Sequence, residues 1–446
     1  MRWLFNLGYL FVASWIWPWF VFKYLTTGKY RAGIGQRLGG LPARDATRKS
    51  IWVHAVSVGE LLQIKPLLKA LRERHPGLDV VVTYTTKTAA EIAARDLTDY
   101  YHCYSPLDLS CVVDKFFAVL NPALIVLVEL ELWPNWLITA RRRKVPVLLA
   151  NGRISDKSFR NYRRFRWLLD EAYRGISVWA MQDETYAQRA RELSSTPMGS
   201  PGGAVGSDSL MPLAGQHVHV TGNLKYDAMR FEPDPDKMTW FQQAFAIRKG
   251  QQVLVCGSTH PGEHEVLVEM LPRLGCRTVI VPRHPERYES LRQLLDRAGL
   301  KWVNRSAVSP QSPAPDDAVI LLDTVGELAA VYSVADIVFI GGSLIAHGGQ
   351  NMAEPIALGT ATLFGPHTHN FKATVRELKE CAGAIDVQNA QELESQIKRL
   401  LAEPAARQKL GQAGRTRLLA GRGALERHLK LISELLDPGR EAQSRA

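Results

Sequence analysis

The chain has 446 residues, 46% hydrophobic and 22% charged, with a formal net charge of +11. Those proportions are ordinary for a globular protein, exclude a disordered chain, and predict two or three domains with proper cores. The positive excess points to an anionic partner, whether nucleic acid, an acidic membrane surface or a phosphorylated substrate. Five cysteines (Cys103, Cys111, Cys256, Cys276, Cys381) include no Cys-x-x-Cys pair, so they read as reduced thiols, and no zinc site is expected.

Between Arg2 and Lys23 the sequence carries no charge and holds Trp3, Phe5, Trp15, Trp17, Trp19, Phe20 and Phe22. That is about the ~20 residues a helix needs to cross the hydrocarbon core, and the tryptophans suit a membrane interface. We therefore expect a membrane-anchor helix over residues 1–25, spanning the bilayer or lying along it, with Pro18 as a possible kink. Lys23, Lys29, Arg31 and Arg37 follow it, which by the positive-inside rule keeps the body of the protein cytoplasmic. Gly33 to Gly39 resembles a dinucleotide fingerprint, but no strand precedes it, so it is set aside.

From residue 50 strand and helix patterns alternate. Ile51–His54 is an apolar run that ends in Ser57-Val58-Gly59-Glu60, just before an amphipathic helix over 61–74. In open α/β sheets ligands bind at the carboxyl ends of strands, so Glu60 stands where chemistry happens; a helix N-terminal charge explains it about as well. Further strands are expected at Val80–Tyr84, Ala123–Val128, Val145–Ala150 and Val178–Gln182, with helices at 61–74, 109–120, 132–144, 158–174 and 185–194. The run Ala123–Val128 delivers Glu129 and Glu131, two acids that are costly after apolar residues unless solvated, paired or functional. Arg141, Arg142, Arg143, Lys144, Arg153, Lys157, Arg160, Arg163, Arg164 and Arg166 form a basic cluster with Phe159, Tyr162, Phe165 and Trp167 interleaved. Beside an anchor helix, anionic lipid headgroups are its simplest partner and nucleic acid is not needed.

The stretch 194–215 reads as a Ser-, Gly- and Pro-rich loop. Thr221-Gly-Asn-Leu-Lys225-Tyr-Asp227 lies at the start of a connection over 223–250, where Lys225 can reach an anion. A second alternating series follows, with strands at Val253–Cys256, Thr278–Val281, Ala318–Leu322, Ile337–Ile340 and Ala361–Phe364, a loop at 304–317 and a helical tail over 389–437. At its strand ends stand Cys256-Gly-Ser-Thr-His260, Pro282-Arg283-His284, Asp323-Thr-Val325-Gly326-Glu327, and Gly341 to Pro355 with Asn351, Met352, Ala353 and Glu354. Glycine turns and a helix starting near Gln350-Asn351 suit an anion, and Arg283 suits bidentate phosphate recognition. The expected organisation is an anchor (1–25), a first Rossmann-like domain (26–222), the connection (223–250), a second such domain (251–437, with terminal helices able to cross back) and a disordered tail (438–446). Two βαβ domains would face a cleft.

Taken together, His54-Ala-Val-Ser-Val-Gly-Glu60, Glu129-Leu-Glu-Leu-Trp-Pro-Asn135, Thr221 to Asp227, Pro282-Arg-His-Pro-Glu-Arg287 and Gly-Gly-Gln-Asn-x-x-Glu-Pro355 resemble the 3-deoxy-D-manno-octulosonic acid (Kdo) transferases of lipopolysaccharide assembly. The resemblance runs from the N-terminal segment to about residue 430. It implies a GT-B fold and inverting transfer of Kdo from CMP-Kdo to a phosphorylated lipid A precursor, at the cytoplasmic side of the inner membrane, without metal or cofactor. By motif, Glu60 would be the general base, and Glu129 and Lys225 would stabilise the transition state. Pro282, Arg283, Val325, Gly326, Glu327 and Asn351 through Glu354 would contact CMP. Met352-Ala353 replaces a Pro-Leu pair of relatives, and Val325 a frequent Met. A UDP-sugar transferase on the same fold and a non-catalytic, membrane-tethered binding protein are the competing readings.

Overall fold

The computed structural model describes residues 2–27, 32–195, 217–284 and 287–437. The chain forms two compact units, Met1–Ala228 with Arg422–Ala446, and Met229–Gly421.

The first unit is built on β1 (Ser50–His54), β2 (Asp79–Tyr84), β3 (Tyr101–Tyr104), β4 (Pro122–Val128), β5 (Val147–Gly152), β6 (Val178–Met181) and β7 (Val218–Val220). They pair in parallel in the order β3-β2-β1-β4-β5-β6-β7. Burial on both faces explains the unbroken apolar runs. Ile51 and Val53 enter one core, while Trp52 enters the other and stacks on Phe116 and Trp136. The Trp52 indole N–H donates to Thr83 Oγ1 at 2.9 Å, so the large ring carries no stranded donor.

One face is closed by the end of the chain. The helix Ala424–Leu436 places Ala424, Leu429, Leu431 and Ile432 against Leu61, Ile64, Leu67 and Leu68 of the helix Val58–Arg74. Its N-terminus is capped from afar: Asp227 accepts Gly423 N at 2.8 Å and Leu425 N at 3.0 Å. Buried His428 accepts Asn151 N through Nε2 (3.0 Å), with Nδ1 2.7 Å from Ala424 O. The final helix of the expected second domain is thus part of the first unit.

The N-terminal segment is one helix, Arg2–Thr27, continuous through Pro18. Of the two alternatives left open for it, the transmembrane one is not supported: among the described residues no helix is long and apolar enough to cross a membrane. Its tryptophans and tyrosines prefer the interface to the hydrocarbon centre, and its first turns carry Arg2, Asn6 and Tyr9 into hydrogen bonds with the rest of the first unit.

The second unit holds β8 (Val253–Thr259), β9 (Arg277–Pro282), β10 (Trp302–Asn304), β11 (Val319–Leu321), β12 (Ile337–Ile340), β13 (Ala361–Phe364) and β14 (Ile385–Asp386). These too are parallel, in the order β10-β11-β9-β8-β12-β13-β14. The helical tail breaks into Ala390–Ala402, Pro404–Ala420 and Ala424–Leu436. Pro404 opens its helix at a position where its missing N–H costs nothing. The loop expected over 194–215 lies outside the described residues apart from its first two, and the tail 438–446 lies outside them altogether.

Candidate functional sites in the two units

The strand order switches direction between β1 and β4 in the first unit and between β8 and β12 in the second. Crevices at such switch points, beyond the carboxyl ends of the strands, are where ligands of α/β sheets bind. The motif residues sit around those points.

In the first unit Ser57 caps the helix Val58–Arg74, and Glu60 falls in the first turn. The carboxylate folds back so that Oε2 accepts Val56 N at 2.8 Å and Oε1 accepts the Ser57 hydroxyl at 2.7 Å. This resembles a capping box, but Glu60 takes the N–H of the residue before the cap and not that of Ser57; the helix-terminus reading holds geometrically. It also fixes the half-buried Glu60 carboxylate in one orientation at the switch point, as a reacting group requires.

Beyond β4 the strand stops at Val128, and Glu129 turns the chain with φ 60°, a left-handed value uncommon for a residue with a side chain. Its N–H is anchored to Ala150 O at 2.9 Å. Burial and then the charge of Glu60 raise the pKa of Glu129, against the pull of Arg153. The same two causes push Glu131 up to about 7. Three carboxylates therefore feel one another at the ends of β1 and β4. Burial of repelling acids is the environment in which catalytic carboxylates are tuned.

The segment Thr221–Asp227 is explained residue by residue. Asp227 caps the last helix. Asn223 accepts Lys225 N at 3.0 Å and donates to Gln182 Oε1 at 3.0 Å. Asn151, left-handed at φ 55°, accepts Leu224 N at 3.0 Å and donates to Gln63 Oε1 at 3.2 Å. Gln63 lies on the Glu60 helix, so the Lys225 turn is tied to it through Asn151. The Lys225 ammonium lies 4.7 Å from the centre of the Tyr226 ring, a cation–π contact that steers the side chain. Asn151, Gln182 and His428 escaped sequence reading because their partners are far away in the chain. The Asn-Gly pair at the end of β5 was the one local sign of the left-handed turn.

In the second unit Pro282 ends β9 buried, and Arg283 follows exposed with its N–H on Thr259 O at 3.0 Å. Three histidines gather beside it: His260 lies 4.1 Å from His347 and 5.7 Å from His284 between ring centres. Burial, reinforced by these neighbours and Arg283, lowers the pKa of His260 to about 4. The region resists further positive charge and suits an anion.

The glycine turn after β12 is a correction. Its N–H groups were expected to face a ligand anion, but fully buried Glu263 already takes Gly342 N (2.8 Å), Ser343 N (3.0 Å) and Leu344 N (3.0 Å), together with His260 N (3.0 Å). The expected helix at Gln350-Asn351 begins at Ala353 and is five residues long. Asn351 donates to Glu354 Oε1 at 2.8 Å and accepts Ala353 N at 3.2 Å. Met352 and Ala353 are buried, whereas Asn351 and Glu354 are exposed and paired to each other. On the next loop Val325 is 90% exposed and Gly326 has φ 88°. Glu327 accepts Arg305 at 2.7 Å, and Arg305 in turn lies 4.1 Å over the Trp240 ring.

Residues 32–200 match the model of the 3-deoxy-D-manno-octulosonic-acid transferase family. The 3-deoxy-D-manno-octulosonic acid transferase of Haemophilus influenzae is 32% identical over 417 residues, 92% of each chain. That of Bordetella pertussis is 32% identical over 440 residues, 95% of this chain and 96% of its own. A glycosyltransferase structure from Rickettsia africae, 14% identical, superimposes with TM-score 0.51 over 87% of this chain and 99% of that one, which speaks to the fold alone. With two parallel α/β units of the GT-B type and 32% identity to these relatives over nearly the full length, the chain belongs to the 3-deoxy-D-manno-octulosonic acid transferase family and is a glycosyltransferase.

Proposed function

We propose that the protein moves Kdo from CMP-Kdo to a phosphorylated lipid A precursor, lipid IVA, with inversion at the anomeric carbon. The observation that carries this reading is the cluster of Glu60, Glu129 and Glu131 at the carboxyl ends of β1 and β4, with Lys225 on a turn tied to the same helix. An acceptor hydroxyl oxygen bonds to the anomeric carbon as the bond to the phosphate oxygen breaks and CMP departs. Glu60 takes the hydroxyl proton, a contribution of roughly 10²–10⁴-fold in rate. Glu129 and Lys225 stabilise the charge separated in the transition state. In the second unit Pro282, Arg283, Val325, Gly326, Glu327 and Asn351 through Glu354 receive CMP, with Arg283 offsetting the phosphate charge.

The reading places the enzyme on the anionic cytoplasmic face of the inner membrane. Trp3, Leu7, Leu10, Phe11 and Trp15 are exposed along the N-terminal helix, which supports an interfacial helix lying on the lipid. Exposed Trp167 and Phe165 beside Arg160 and Arg164 suit the headgroups.

The test is transfer by the purified protein to lipid IVA in vesicles with CMP-Kdo or a UDP-sugar. Product with CMP-Kdo alone is expected; product with the UDP-sugar alone overturns the assignment. Glu60→Ala should abolish transfer while CMP still binds, and loss of both together would make Glu60 structural.

A further inference from the structure

The N-terminal helix is fastened to the first unit at one buried carboxylate. Asp108 is 5% exposed, on the loop between β3 and the helix Ser110–Leu120. Its Oδ2 accepts the Tyr9 hydroxyl at 2.7 Å and Asn135 N at 3.1 Å, and its Oδ1 accepts Trp136 N at 3.1 Å. Asn135 and Trp136 belong to the first turn of the helix Pro134–Arg142, whose own N-cap position, Trp133, offers no side-chain acceptor. Asp108 therefore caps this helix from 27 residues away, satisfying two otherwise orphaned donors. Asn6 completes the clasp: its Oδ1 accepts the Asn135 side-chain amide at 3.1 Å and Ser110 N at 3.1 Å.

The capped turn is the direct continuation of Glu129 and Glu131. Three residues separate Glu131 from Asn135, and Pro134 stiffens the join. One side chain thus holds the N-terminal helix with one oxygen and the base of the carboxylate turn with both. We propose that Asp108 is a positioning residue that couples the seating of the N-terminal helix to the geometry of the Glu129–Glu131 turn. The proposal rests on the reading of that turn as catalytic.

An amide cannot replace the carboxylate. Asn at 108 presents one oxygen, so either Trp136 N or the Tyr9–Asn135 pair loses its acceptor. Protonation has a related effect, since a neutral carboxyl turns one acceptor site into a donor. Burial raises the Asp108 pKa to about 7, against its hydrogen bonds from Tyr9, Asn135 and Trp136 and the field of Arg2. The other charges at the clasp are Asp114, which pairs with Arg2 at 2.8 Å, and Arg143, 3.6 Å from Asp114.

The experiment uses the full chain bearing Asp108→Asn or the milder Tyr9→Phe. Amide exchange over residues 129–136, corrected for intrinsic rates, should lose about tenfold in protection in Asp108→Asn, the loss of one good hydrogen bond. Tyr9→Phe should lose less. In the wild type that protection should fall as pH drops from 8 to 6, and in Asp108→Asn it should be flat. With CMP-Kdo and lipid IVA, kcat should fall about tenfold in Asp108→Asn with KM for the donor unchanged. Unchanged exchange at 129–136 in both variants, or raised exchange with intact kcat, overturns the proposal. Exchange is read without substrates, so failure of the assigned reaction would show separately, as wild-type protein that is protected but inactive.

Discussion

The two units share a parallel seven-stranded layout but furnish their switch points with opposite chemistry. The first gathers acids: Glu129 and Glu131, raised by burial and by the charge of neighbouring Glu60. The second gathers Arg283 with His260, His284 and His347. The difference lies in the turns and not in the sheets. An acidic turn set suits proton removal and stabilisation of a developing cation, while a basic one suits a leaving phosphate. Both turn sets use left-handed residues that carry side chains, Glu129 and Asn151 in the first unit and Ser258 in the second, but only the second holds its glycine turn with a resident carboxylate.

The sharpest way to break this comparison is at Glu263. Glu263→Ala strands four N–H groups that the carboxylate satisfies, at about 1–3 kcal/mol for each unsatisfied buried group. The second unit should melt well below the wild type in calorimetry, with the first unit little changed. A uniform small shift would mean that water replaces the carboxylate. Next in size is Arg283→Ala. CMP affinity by titration calorimetry should fall roughly 10- to 100-fold, the worth of a charge-assisted hydrogen bond, with acceptor binding intact. Undiminished CMP affinity would remove the second unit's main cation from the site. The smallest effect is expected at Glu129→Gly. Glycine relieves a left-handed backbone cost of roughly 1–2 kcal/mol and loses more entropy on folding, so a net stabilisation of up to about 1 kcal/mol is expected together with lost transfer. A destabilised Glu129→Gly would show that the turn is not strained.

The buried strands were plain in the sequence because both faces are covered and the side chains are apolar without a break. Ile337–Ile340 and Ala361–Phe364 were read to the residue. The strands not anticipated, Tyr101–Tyr104, Val218–Val220, Trp302–Asn304 and Ile385–Asp386, are all short, and each stands at or beside an exposed edge of its sheet. Polar residues are tolerated there, so no apolar run marks them. The helix expected over 158–174 breaks at Phe165 into Asp156–Arg164 and Arg166–Tyr173, a junction without Gly or Pro to announce it. In the sites, Glu60 and Glu129 were legible as charges at the ends of apolar runs. Asp108 and Glu263 were not, since each acts on N–H groups 27 to 81 residues away.

The closing helix has a consequence for how the molecule comes into being. Residues 424–436 lie beyond the whole second unit in the chain, yet they cover Leu61, Ile64, Leu67 and Leu68 and receive their cap from Asp227. During synthesis the second unit has all its residues while the first still waits for this thirteen-residue helix. Until the ribosome delivers that helix, an apolar groove on the nascent first unit stays open to chaperones.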